Sequence, residues 1–179
     1  MTDGGPSPSG GIYFKNRSGM TETKRFPARP LATRVITLAA LITRPMIMGV
    51  RGLVIDAQKR VLLVRHSYVA GYWLPGGGVE HGETLLDALA RELREEGNIV
   101  LSGEAPVLHG VYLNRDACRY NHETLFVVRG FRQTGPFAPT REIVEAGFFP
   151  ADALPEDAIE SVRKRIDEVM GGVPTSPYW

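Results

Sequence analysis

Three glutamates crowd into a little more than one turn of a single amphipathic helix, just downstream of three consecutive glycines. Leu85, Leu86, Leu89, Ala90 and Leu93 recur at helical spacing and predict a helix from Thr84 to about Glu96 with one apolar face. Thr84 and Asp87 stand at capping-box spacing and set its start. At about 100° per residue, Glu92, Glu95 and Glu96 share an arc of about 100°, with Glu96 inside the edge of the apolar face. Carboxylates so placed repel one another, and partial burial adds a desolvation cost. A divalent cation removes both problems; oxygen-only ligands suit Mg²⁺, with Mn²⁺ also possible. The alternative is a solvated acidic face paired with Arg91 and Arg94. Gly76-Gly77-Gly78 favours the first reading, because unshielded backbone beside a helix start lets carbonyls reach a metal and amides approach phosphate.

Composition narrows the class. The 179 residues carry 21 basic and 20 acidic groups, too balanced for a polycationic nucleic-acid binder, and 43% hydrophobic residues suffice for one core. One cysteine, Cys118, excludes an intrachain disulfide and a cysteine-cluster metal site. Seven basic and two acidic groups precede Pro45, so a basic arm leads an acidic body. Residues 1–27 read as a disordered arm, and Met20 offers a second start within it. Residues 28–45 read as an amino-terminal helix ended by Pro45, a possible dimer contact. Its uncharged run, Val35 to Thr43, falls well short of the roughly 20 residues that span a bilayer. No membrane and no stable nucleic-acid partner is expected, and the location expected is cytoplasmic.

Residues 46–172 form the expected folded domain, followed by a tail at 173–179. Met48–Asp56 and Arg60–Arg65 predict a hairpin around Ala57-Gln58-Lys59. Further strands are predicted at Val107–Leu113, Thr124–Phe131 and near Ala146–Phe149, and a last helix from Glu156 to Met170. This mixture predicts an α/β (α+β) domain of layered, α/β/α type.

Gly77 to Ile99 resembles the 23-residue signature of the Nudix hydrolases, Gx5Ex7REUxEExGU, with U an aliphatic residue. Gly77, Glu83, Arg91, Glu92, Leu93, Glu95, Glu96 and Ile99 match; Asn98 stands where the family has glycine. Asparagine tolerates the left-handed conformation that ends a helix, so the turn is expected to survive. Trp73-Leu74-Pro75, Phe148-Phe149-Pro150 and Leu154-Pro155 resemble the family as well. The resemblance implies a mixed sheet sandwiched between helices. It also implies metal binding by Glu92, Glu95 and Glu96 with the Gly77 carbonyl, structural roles for Glu83 and Arg91, and water attack on phosphorus. The implied substrate is a nucleoside diphosphate-linked compound, ADP-ribose or a nucleotide sugar. Nucleoside triphosphate pyrophosphohydrolysis and a non-catalytic nucleotide-sensing module are the alternatives.

A carboxylate near the metal can take the proton of the attacking water. Glu95 is the first candidate for that base, with Glu92 beside it as catalytic ligand; Glu142, Glu145 and Glu123 are alternatives outside the signature. Tyr68, Tyr72 and Trp73 could stack on a base, and Arg115, Arg119 and His122 could hold phosphate; core packing and a solvated loop are the competing readings. His66, His81 and His109 read as structural. Subfamily markers are absent: Asn114 and Arg115 occupy the positions where many ADP-ribose members carry proline. Deleting residues 1–19 is expected to leave turnover and melting temperature unchanged, as activity assays and calorimetry on the shortened chain would show.

Overall fold

The computed structural model describes residues 13–15, 21–23, 46–116 and 120–179. The chain divides into two units, Met1–Pro45 and Met46–Trp179. In the first, β1 (Tyr13–Lys15) pairs antiparallel with β2 (Thr21–Thr23). The amino-terminal helix expected at 28–45 and the remainder of the arm lie outside the described residues.

The second unit holds eight strands and two helices among the described residues. β3 (Ile47–Val54) runs parallel to β8 (Asn121–Val128), which pairs antiparallel with β7 (Val107–Asn114). A second sheet orders β10 (Ile143–Pro150), β4 (Arg60–His66) and β5 (Tyr72–Trp73), all antiparallel. β6 (Ile99–Leu101) pairs with β9 (Phe131–Gln133).

Strand alternation sends side chains to two cores. Val50 and Val54 of β3, Leu62 of β4, and Phe126 and Val128 of β8 meet Ala88, Leu89 and Leu93 of α1 (Leu85–Gly97). Leu53 and Ile55, Val61 and Leu63, and Leu125 and Val127 meet Val162 and Ile166 of α2 (Glu160–Met170). Helices thus cover both faces of the strands, the layered architecture expected from the pattern.

Three expectations are corrected. The predicted hairpin opens: β3 and β4 meet at one bridge, Ile55–Val61, and then enter different sheets. Both strands are buried on both faces, whereas a simple hairpin leaves one face to water. The single strand predicted at Thr124–Phe131 breaks into β8 and β9 at Gly130, whose carbonyl accepts the Ser102 N–H at 3.0 Å. The last helix starts at Glu160, because Pro155–Ala158 close a turn first.

Residues 173–179 dock on the edge of β7. The Leu113 N–H donates to Pro177 O at 2.9 Å, and the Trp179 N–H donates to Leu113 O at 3.2 Å. Arg165, fully buried, pairs with Glu168 at 2.7 Å, donates to Tyr178 O at 3.1 Å and lies over the Tyr112 ring. Glu168 also accepts from the Tyr112 hydroxyl at 2.8 Å and the Ser176 N–H at 3.0 Å. Leu93, with no exposed surface, packs where α1 meets β3; Leu93→Ala should cost about 2–5 kcal/mol in urea unfolding with the fold retained.

Candidate active site

The helix begins and ends where the sequence places it. Thr84 and Asp87 form a complete capping box, and Asn98, at φ 55°, closes α1 in the left-handed conformation. The buried face, however, is turned toward the glutamates. Leu86 is 46% exposed, while Ala88, Leu89, Leu93 and Glu96 are buried, so Glu92 and Glu96 sit near the middle of that face rather than at its border.

One hydrogen bond ties the helix to the glycine turn: the Gly76 N–H donates to Glu96 Oε2 at 2.7 Å. Gly76 adopts φ 143°, and a Cβ there would strike the Val50 carbonyl. A Cβ on Gly77 would occupy the space of the Glu92 carboxylate. β3 fixes the turn from below: the Gly52 N–H donates to Pro75 O at 2.8 Å and the Val50 N–H to Gly77 O at 2.9 Å. Arg51 adds a side-chain tie, Nη1 donating to Gly76 O at 2.7 Å.

Above the turn lies a cleft of about 600 Å³ walled by Arg51, His66, Tyr68, Trp73, Glu92, Glu96 and Glu142, with the three glycines. Burial pushes the Glu96 carboxyl up to about 8; the Gly76 amide opposes this and the neighbouring Glu92 adds to it. Burial also raises Glu92, against the pull of Arg91. Glu96 makes one close approach to a basic side chain among the described residues, His66 Nε2 at 3.8 Å. Burial, then the charge of Arg51, lowers the His66 pKa, so it supplies no counter-charge at neutral pH.

Among the described residues no group of three His, Cys, Asp or Glu side chains converges at ligating geometry. Each carboxylate has its own partner instead. Glu92 takes Arg91 Nη1 at 2.7 Å, Glu96 takes the Gly76 amide, and Glu95, 54% exposed at the rim, lies 3.7 Å from Arg91 and 3.8 Å from Arg94. Arg91 grips Glu83 with two bonds of 2.9 and 3.0 Å and donates to Gly78 O at 3.0 Å, lashing the loop to the helix. That grip, with the Glu80 amide, lowers the Glu83 carboxyl to about 2.

The remaining candidates separate. Glu142 faces the cleft, its carboxylate 3.4 Å from the Tyr68 hydroxyl, and shares an adjoining hollow with Glu92, Glu95 and Glu96. Glu145 points elsewhere, 3.8 Å from Arg65. Glu123 is buried and bound by Arg51 at 3.2 Å. Trp73 and Tyr68 line the cleft, but Tyr72 does not: it is 5% exposed and packs edge-on to Phe149 in the core. Arg115 also stands apart, stacked 4.3 Å over the Tyr178 ring. Arg119 lies outside the described residues. Arg51 lies outside the signature, and its one mark in the sequence is that it is the lone charge in the apolar run from Met48 to Ile55. His66, read as structural, forms part of the cleft wall.

Comparison with known proteins agrees with the layered fold. The NUDIX domain family model matches residues 46–169. The ADP-ribose pyrophosphatase of Methanocaldococcus jannaschii is 29% identical over 160 residues, covering 85% of this chain and 87% of the relative. The crystal structure of a MutT NUDIX hydrolase from Burkholderia pseudomallei superposes with a TM-score of 0.59 at 22% identity, over 69% of this chain and 98% of that one. An ADP-ribose pyrophosphatase structure from Streptococcus suis gives 0.52 at 20% identity, over 74% and 95%. The signature, the glycine turn beneath α1 and the layered fold meet in one conclusion: the chain belongs to the NUDIX domain family.

Proposed function

We propose that this Nudix pyrophosphohydrolase cleaves a diphosphate linkage in a nucleoside diphosphate-linked compound of the ADP-ribose or nucleotide-sugar type, using a divalent cation. The observation that carries the reading is the Glu96 carboxylate. It is 6% exposed, has one amide donor and shares the cleft wall with the half-buried carboxylate of Glu92, one turn back on the same helix. An all-oxygen set with excess negative charge fits a hard divalent ion, Mg²⁺ or Mn²⁺. Glu92, Glu95 and Glu96 would hold it, with the Gly77 carbonyl, whose second lone pair remains beyond its bond to Val50. Bound there, the ion supplies charge neutralisation on the phosphoryl oxygens and a lower pKa for the attacking water.

The chain's own groups do the rest. Glu95, at the rim of the hollow shared with Glu142, accepts the proton of the attacking water, with Glu142 as the alternative acceptor. Arg51 steadies the glycine turn and places a fixed positive charge on the cleft wall for the anionic substrate. Arg91 keeps the loop and helix in register. The Methanocaldococcus jannaschii relative, an ADP-ribose pyrophosphatase, supports the ADP-ribose type of substrate.

Phosphatase-coupled turnover on ADP-ribose, sugar nucleotides, dinucleoside polyphosphates and nucleoside triphosphates, with and without Mg²⁺, tests this. Metal-dependent cleavage of the first two classes is expected, and silence on both overturns the reading. Glu96→Gln should cut turnover by at least about 100-fold with its circular dichroism spectrum unchanged; near-normal rates would remove Glu96 from the site.

A second expectation concerns pH. The folded-state pKa of Glu96, about 8, lies above its unfolded value of 4.5, so the folded chain holds the proton more tightly. Its stabilising contribution is complete below 4.5 and is lost as pH rises toward 8. The EDTA-treated protein should therefore melt at falling temperatures across that range, by on the order of a few kcal/mol of stability. Glu96→Gln should flatten the trend.

A further inference from the structure

A line of polar groups runs from the edge strand β7, across β8 and β3, to the glycine turn. Its centre is Glu123 of β8, 3% exposed. One carboxylate oxygen receives Arg51 Nε at 3.2 Å; the other receives Asn121 Nδ2 at 2.9 Å and Asn114 Nδ2 at 3.4 Å. β3 leaves room for that carboxylate. Gly49 is the register partner of Glu123, and a Cβ there would take the place of the oxygen that Arg51 binds. Arg51 is thus pinned at Nε, and its planar fork carries Nη1 to Gly76 O at 2.7 Å. Gly76 is then gripped at both ends, its carbonyl by Arg51 and its amide by Glu96. Arg51 walls the cleft; Glu123 is not among the described residues that do.

We infer that Glu123 is a positioning residue: by holding Arg51 it fixes the Gly76 peptide, and with it the amide that Glu96 receives, without itself meeting substrate or ion. This takes the place of the base role weighed for Glu123. A long side chain with many rotamers loses its freedom at the buried carboxylate, so Nη1 reaches the turn already oriented. The catalytic meaning of this hold rests on the cleft being the diphosphate site; the hold on the turn does not.

The test is hydrogen exchange at the Gly76 amide, followed by nuclear magnetic resonance on the full chain in EDTA at one fixed pH, which reads local opening without any turnover. Glu123→Gln keeps the shape of the side chain and removes its charge. Gly49→Ala keeps every charge and pushes the carboxylate off Arg51. Circular dichroism confirms that each is folded, and Gly49→Ala decides alone should Glu123→Gln unfold. Exchange at Gly76 about tenfold faster or more in the folded variants is the result expected. Both substitutions are then repeated on Arg51→Met. Because Glu123 acts through Arg51, each should add less than about twofold there. Unchanged exchange at Gly76, or the same acceleration with and without Arg51, overturns the proposal, since a merely structural Glu123 loosens the turn whatever stands at position 51. A chain that shows the coupling yet cleaves no diphosphate sinks the hydrolase reading and leaves the hold of Glu123 on the turn standing. Turnover without the coupling does the reverse.

Discussion

The hydrogen bond from the Gly76 amide to Glu96 is the point on which the site hangs. For it to form, α1 must lie with a carboxylate on its buried face, and the chain must pass through a backbone angle that favours glycine. β3 must also run close enough beneath to hold the turn by its own amides. Together these conditions place Glu92, Glu96 and Arg51 around a single cleft. The apolar contacts of Leu89 and Leu93 with β3 keep the helix seated despite the glutamates beside them.

The two cores of the domain treat buried charge differently. Under α2, Glu168 is matched by Arg165, the Tyr112 hydroxyl and the Ser176 amide. That charge is spent on structure, fastening residues 173–179 to the β7 edge. Under α1, Glu96 has one neutral donor and a neutral histidine at longer range. A protein that satisfies one buried carboxylate so fully and leaves another short is carrying a local cost at the second, the usual mark of a site with a task.

How far the sequence could be read follows from where information is local. The capping box at Thr84 and Asp87, the left-handed close at Asn98 and the glycine run each lie within a few residues of the structure they specify. The rotation of the helix face is less legible: Leu86 and Ala90 read as apolar positions whichever way the helix turns, whereas the packing of β3 and Leu62 covers Ala88 and leaves Leu86 outside. The division of the apparent hairpin between two sheets was not legible: a bridge at Ile55–Val61 satisfies the turn whichever partners β3 and β4 take afterward. Arg51 shows the same limit. Its bonds reach Gly76 and Glu123, neither of them a neighbour in the chain. The departure of Tyr72 into the core depends on Phe149, supplied by β10 far downstream.

The pairing of Arg51 with Glu123 spans 72 positions, and β3 lies parallel to β8 along its whole length. Contacts of such separation are slow to form, since loop closure must precede any gain from them. A chain emerging from synthesis therefore exposes its run of glutamates long before it possesses a cleft floor. The finished cleft is then a certificate of completed folding: half-made molecules hold the glutamates but not the walls that enclose them.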